Sequence, residues 1–117
     1  MSLAASILAA NDRKSEAVTV SEWGNAALEL RELSANDREA LVRLYNAAVE
    51  DPQAAEGATA FVVARGLYDP STGARVFTDE QINELGAKSF EVLNRLSSRV
   101  LELSGLADDS TEVEAGN

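Results

Sequence analysis

Residues Phe77-Thr78-Asp79-Glu80-Gln81-Ile82-Asn83-Glu84-Leu85-Gly86-Ala87-Lys88-Ser89 hold several independent helix-start signals at their beginning. Thr78 and Gln81 are spaced as a capping box, each side chain reaching the other's backbone N–H. Phe77 and Ile82 flank that box as a hydrophobic staple, and Asp79 and Glu80 suit the positive end of the helix dipole. Gly86, which tolerates the left-handed conformation, predicts a stop after about two turns. A second helix then begins at once. Its apolar residues Phe90, Leu93, Leu96, Val100 and Leu103 are spaced by three, three, four and three, a single stripe that ends at Gly105. The stretch therefore predicts a short helix feeding a longer amphipathic one.

Upstream, Asp69-Pro70-Ser71-Thr72-Gly73 is a turn in which Pro fixes φ and Gly takes the left-handed region, and Ala74 to Phe77 returns the chain to the capping box. Ala58 to Ala64 is nearly all apolar, and its alanines and length favour a buried helix over a buried strand. Ser34 with Asp37 starts another helix, whose apolar face is Leu41, Leu44, Tyr45, Ala48 and Val49 and whose end is Pro52. Val18 and Val20 alternate around Thr19, Trp23-Gly24-Asn25 supplies turn chemistry, and Leu28 and Leu30 alternate with Glu29 and Arg31; this predicts a β-hairpin. Ala26 to Leu33 also consists of good helix formers that Asn25 could cap, so both readings stand at that point. Leu3, Ile7 and Leu8 suit a short terminal helix that needs docking for its order, and polar Asn11 to Glu16 reads as a linker.

The expected architecture is mainly α, within the α+β class: a small N-terminal β-hairpin followed by a bundle of about four helices. One domain is expected over 1–106. Asp108, Asp109, Glu112 and Glu114 predict a disordered acidic tail over 107–117.

With 117 residues the chain suffices for one core. Its 10 basic and 20 acidic residues give a net charge of −10, which repels nucleic acid and anionic membranes. Cysteine and histidine are both absent, removing disulfides, thiolate nucleophiles, imidazole bases and Cys/His metal sites. No cofactor is expected. The apolar run Leu3 to Ala10 lacks a preceding Lys or Arg and falls short of the roughly 20 residues of a membrane span, which points to a soluble cytoplasmic protein.

Asp69 to Glu80 resembles a calcium loop in length, but Ala74 stands where the sharp turn wants glycine, and few carboxylates would face the ion. Carboxylate pairs such as Asp37 with Glu39, or Asp79 with Glu80, read as solvated surface, and neither Lys14 nor Lys88 lies in a catalytic motif. No enzyme is expected. Phe90, Leu93, Leu96, Val100 and Leu103 are ordinarily core, yet Leu93 to Leu103 has the spacing of a helix–helix seam. That stripe, with the single tryptophan Trp23, is the candidate partner or oligomer surface.

With Val18-Thr19-Val20-Ser21-Glu22-Trp23-Gly24, Arg31-Glu32-Leu33-Ser34, Phe77-Thr78-Asp79-Glu80, Leu85-Gly86-Ala87-Lys88-Ser89 and Leu93-Asn94-Arg95-Leu96, the chain resembles the tail assembly chaperones of long-tailed bacteriophages and prophages over roughly residues 3–106. The resemblance implies a non-enzymatic protein of the host bacterial cytoplasm, absent from the mature virion. It implies binding and solubilising of the tape measure protein, recruitment of tail tube subunits through a frameshifted longer form, and homo-oligomers, with no nucleic acid or membrane partner. The alternative from another class is an acidic helical regulator that mimics nucleic acid and sequesters a basic protein.

Overall fold

The computed structural model describes residues 2–106; the acidic tail expected at 107–117 lies outside them. The chain runs α1 (Leu3–Ala9), β1 (Ser15–Val20), β2 (Ala26–Arg31), α2 (Ala35–Ala48), α3 (Ala58–Gly66), β3 (Leu67–Tyr68), α4 (Ile82–Leu85) and α5 (Phe90–Leu103), with short 3-10 turns at Ser21–Trp23, Pro52–Ala55 and Asp79–Gln81. The architecture is α+β with an N-terminal hairpin, in agreement with the sequence.

Alternation won over helix propensity at residues 26–33. Val18 faces Leu28 and Glu16 faces Leu30 across the antiparallel β1/β2 pair. The alternation places Val20, Leu28 and Leu30 in the core and leaves Thr19 and Ala27 in solvent. The hairpin turns through Gly24 and Asn25, both at positive φ, as the turn residues require. Asn25 thus bends the strand pair and caps no helix.

Leu67 and Tyr68 add a third antiparallel strand beside β2, pairing with Leu30 and Glu29. The sequence does not announce it, because two strand residues continue an apolar helical run without a break. Tyr68 shares a face with Glu29 and Arg31; the Arg31 guanidinium stacks 4.0 Å from its ring centroid, and Arg13 donates to its hydroxyl at 3.0 Å.

The core forms where α3 and α5 cross over the inner face of the sheet. Val62, Val63 and Ala64 of α3 meet Val92, Leu93, Leu96 and Val100 of α5, with Leu30 and Leu67 beneath. The crossing is close because Gly66 has no side chain: a Cβ there would lie 2.7 Å from a Val100 methyl and 3.1 Å from the Arg31 carbonyl oxygen. Ser104 fastens the far end of α5, accepting from the Leu33 N–H at 2.9 Å and donating to the Val100 carbonyl at 2.7 Å.

The capping box at Thr78 forms, with the Thr78 N–H donating to Gln81 Oε1 at 2.9 Å. Phe77 and Ile82 both pack on the core, as a staple should. One expectation is corrected: Gly86 ends α4 in the right-handed region, at φ −64° and ψ −14°. Lys88 and Ala87 N–H groups still bond back to Leu85 and Glu84, so the helix closes through a tight turn and needs no left-handed residue. Gly73 does adopt the positive φ expected of it, and Gly105, where the α5 stripe stops, has a positive φ as well.

Candidate partner-binding surface

The structure divides the stripe read from α5. Leu93, Leu96 and Val100 are buried in the chain's own core. α3 covers these three, the ordinary core placement of such a stripe, since one spacing serves an internal or an external partner equally. Leu103 and Trp23 are partly buried against the same core, and Trp23 meets Phe77 edge-on, with ring centroids 6.4 Å apart. Phe90 alone remains 71% exposed. It lies about 120° around the helix from Leu96 at 100° per residue, outside the arc that α3 can cover.

Large apolar side chains stay open at Leu3, Ile7 and Leu8 of α1, at Phe90, and along α2. The apolar face of α2 spans about 160° on a helical wheel, wider than one contact can bury. The core takes Leu41 and part of Leu44; Val42, Tyr45 and Val49, spaced by three and four, face solvent. Between α2 and α5 runs a groove of about 540 Å³ lined by Leu41, Val42, Tyr45, Asn94, Ser98, Leu101 and Leu106, without a charged side chain. Partial burial raises the Tyr45 hydroxyl pKa above its usual value, so the phenol stays neutral. A larger depression of about 690 Å³ beside it contains Glu32, Arg38, Glu39 and Arg43 and is a solvated charged hollow.

The frame around the groove is held by ion pairs. Arg65, at the end of α3, bonds Asp37 in the first turn of α2 and grips Asp79 through Nε at 3.1 Å and a terminal nitrogen at 3.0 Å. Arg75 also reaches Asp79 at 3.0 Å. Asp37 is 8% exposed, and its charge is matched within the fold. Across the molecule Arg95 pairs with Glu22 at 2.9 Å and Arg99 with Glu16 at 2.5 Å, tying α5 to the hairpin. Hydrogen bonds from these arginines hold the pKa values of Glu22 and Glu16 below the usual carboxylate range, and Arg75 does the same for Asp79.

Asp69 at the calcium-like loop is engaged by its own turn: its carboxylate accepts from the Ser71 N–H at 2.9 Å and from the Ser71 hydroxyl at 2.7 Å. Among the described residues, no group of three or more Asp, Glu, Cys or His side chains is placed to hold a metal ion. No described helix is long and apolar enough to cross a membrane.

The family model for phage tail assembly chaperones matches residues 2–116. The solved structure of the bacteriophage HK97 tail assembly chaperone is similar in fold, with a TM-score of 0.66 and 22% sequence identity over 87% of this chain and 98% of that one. No curated protein sequence matches.

Proposed function

The chain belongs to the phage tail assembly chaperone family, and from that premise we propose that it binds and solubilises the tape measure protein and helps recruit tail tube subunits around it. A chaperone family implies a non-enzymatic role. The observation that carries the finer reading is the uncharged α2/α5 groove beside the exposed stripe Val42, Tyr45 and Val49, on a chain of net charge −10. A tape measure protein presents long apolar helical stripes that aggregate in water, and such a stripe fits a groove between two helices.

The mechanism follows from the balance of these surfaces. Each groove contributes a modest apolar contact, and several copies along one long helix hold it by avidity. Weak single contacts let arriving tube subunits displace the copies one by one. The acidic exterior keeps the coated partner soluble and repels nucleic acid. Tube contact through a frameshifted longer form, homo-oligomer formation, action in the host cytoplasm and absence from the virion belong to the same proposal.

Co-expression with the tape measure protein encoded beside it tests the reading. The tape measure protein is expected in the soluble fraction with the wild-type chain and in the pellet with Val42→Asp/Tyr45→Asp. A tape measure protein that stays insoluble with the wild type refutes the function, and one rescued equally by the double variant refutes the surface.

A further inference from the structure

We propose that, in the free protein, α1 of one copy docks in the α2/α5 groove of a second copy and is displaced from it by the partner helix. This rests on the groove assignment above and adds how the groove is guarded. α1 is the unexplained element of the fold. Leu3–Ala9 is a formed helix of 7 residues, with the Ser2 hydroxyl accepting from the Ala5 N–H at 3.1 Å, yet none of its residues is buried. Isolated helices shorter than about 12 residues are marginal in water, and the apolar face of α1, at Leu3, Ile7 and Leu8, is 61–85% exposed and open to a partner.

Leu3, Ala4, Ile7 and Leu8 cover an arc of about 140° at 100° per residue, the width of a core-facing stripe. The groove presents Val42, Tyr45, Leu101 and Leu106, and its volume of about 540 Å³ falls within the roughly 300–1,000 Å³ of sites that enclose compact apolar groups.

Charge identifies the occupant. Two copies of a −10 chain repel each other over most of their surfaces. Ser2–Asn11 is the longest stretch without a charged side chain, and the groove lining is uncharged too. Arm and groove are thus the two matching surfaces that meet without stripping water from a carboxylate. Covering the groove this way hides an apolar patch that would invite non-specific association, and an apolar partner helix longer than α1 competes for the same surface with more contact area.

The chain has no cysteine, which makes cross-linking specific. Ile7→Cys and Val42→Cys proteins, made separately and mixed under mild oxidation, are expected to give about tenfold more mixed disulfide dimer than Ile7→Cys with Thr19→Cys on the outer sheet face, since docking raises effective concentration. Leu3→Asp/Ile7→Asp is expected to lower the sedimentation-average mass with an unchanged melting temperature and to leave the tape measure protein soluble on co-expression. Mixed dimer no more abundant than in the control overturns the proposal. So does a doubly substituted Ile7→Cys/Val42→Cys chain that closes within one molecule at high dilution. Either result leaves the tape measure assay standing, so the two readings fail separately.

Discussion

Gly66→Ala tests the packing that holds α3 on α5 and so positions one wall of the groove. The added Cβ would sit 2.7 and 2.8 Å from the two Val100 methyl carbons and 3.1 Å from the Arg31 carbonyl oxygen. Ordinary carbon contacts lie at about 3.5–4.0 Å, so each methyl is about 1 Å too close. Val100 is fully buried and has no solvent to move into. Overpacking of this kind costs about 1–3 kcal/mol, of which the better helix propensity of alanine offsets up to about 1. With that offset taken in full, a net loss of up to about 2 kcal/mol follows. Val100→Ala alone removes two methyl groups at about 0.8 kcal/mol each and leaves a small cavity, for about 2 kcal/mol in all. In the double variant the new Cβ occupies space that the methyls vacated, so the two losses should fall short of adding by at least about 0.5 kcal/mol. Urea unfolding of the four proteins gives this coupling directly, provided the slope stays constant. Strict additivity, or a Gly66→Ala chain more stable than wild type, would refute the close α3/α5 crossing.

Other outcomes follow from burial and charge. Leu96→Ala should cost about 2–5 kcal/mol, whereas Val49→Asp, at 82% exposed, should stay within about 0.5 kcal/mol; paired urea melts compare them. Asp37→Asn should lower stability by about 1.5–3 kcal/mol, because Arg65 loses a charged hydrogen-bond partner near the core; a loss below 0.5 kcal/mol in the same assay, about the scatter of surface substitutions, would contradict that. The carboxyl pKa values of Glu16, Glu22 and Asp79 are depressed by arginines in the folded state, so their stabilisation is present above the usual carboxylate range and is lost as pH falls through the folded values. Melting temperature should therefore hold between about pH 7 and 5.5 and drop below about pH 4, and Arg95→Ala/Arg99→Ala should flatten that drop.

The hairpin was legible because alternation at Val18, Val20, Leu28 and Leu30 carries both the period and the register, while Gly24 and Asn25 fix where the chain reverses. The helices were legible through Ser34, Thr78 and Gly105, residues whose chemistry acts locally. β3 was not, since its pairing with β2 is a tertiary fact imposed on a run that could as well remain helical. The site is the sharper case. A stripe such as Leu93, Leu96 and Val100 records that something apolar lies opposite; it does not record that α3 of the same chain does. The surface signal was available on α2 instead, in an apolar face too wide for the core to take whole, and it needed α5 in place to become a groove.

The most direct test of the account is a pull-down of the tape measure protein at 1 M salt, where the Debye length is about 3 Å and charge-driven binding is screened. Retention by the wild-type chain, with loss of at least about tenfold in Val42→Asp/Tyr45→Asp, is the result expected of an apolar groove. Release of the wild-type complex by salt, or equal retention by a well-folded double variant, would contradict it.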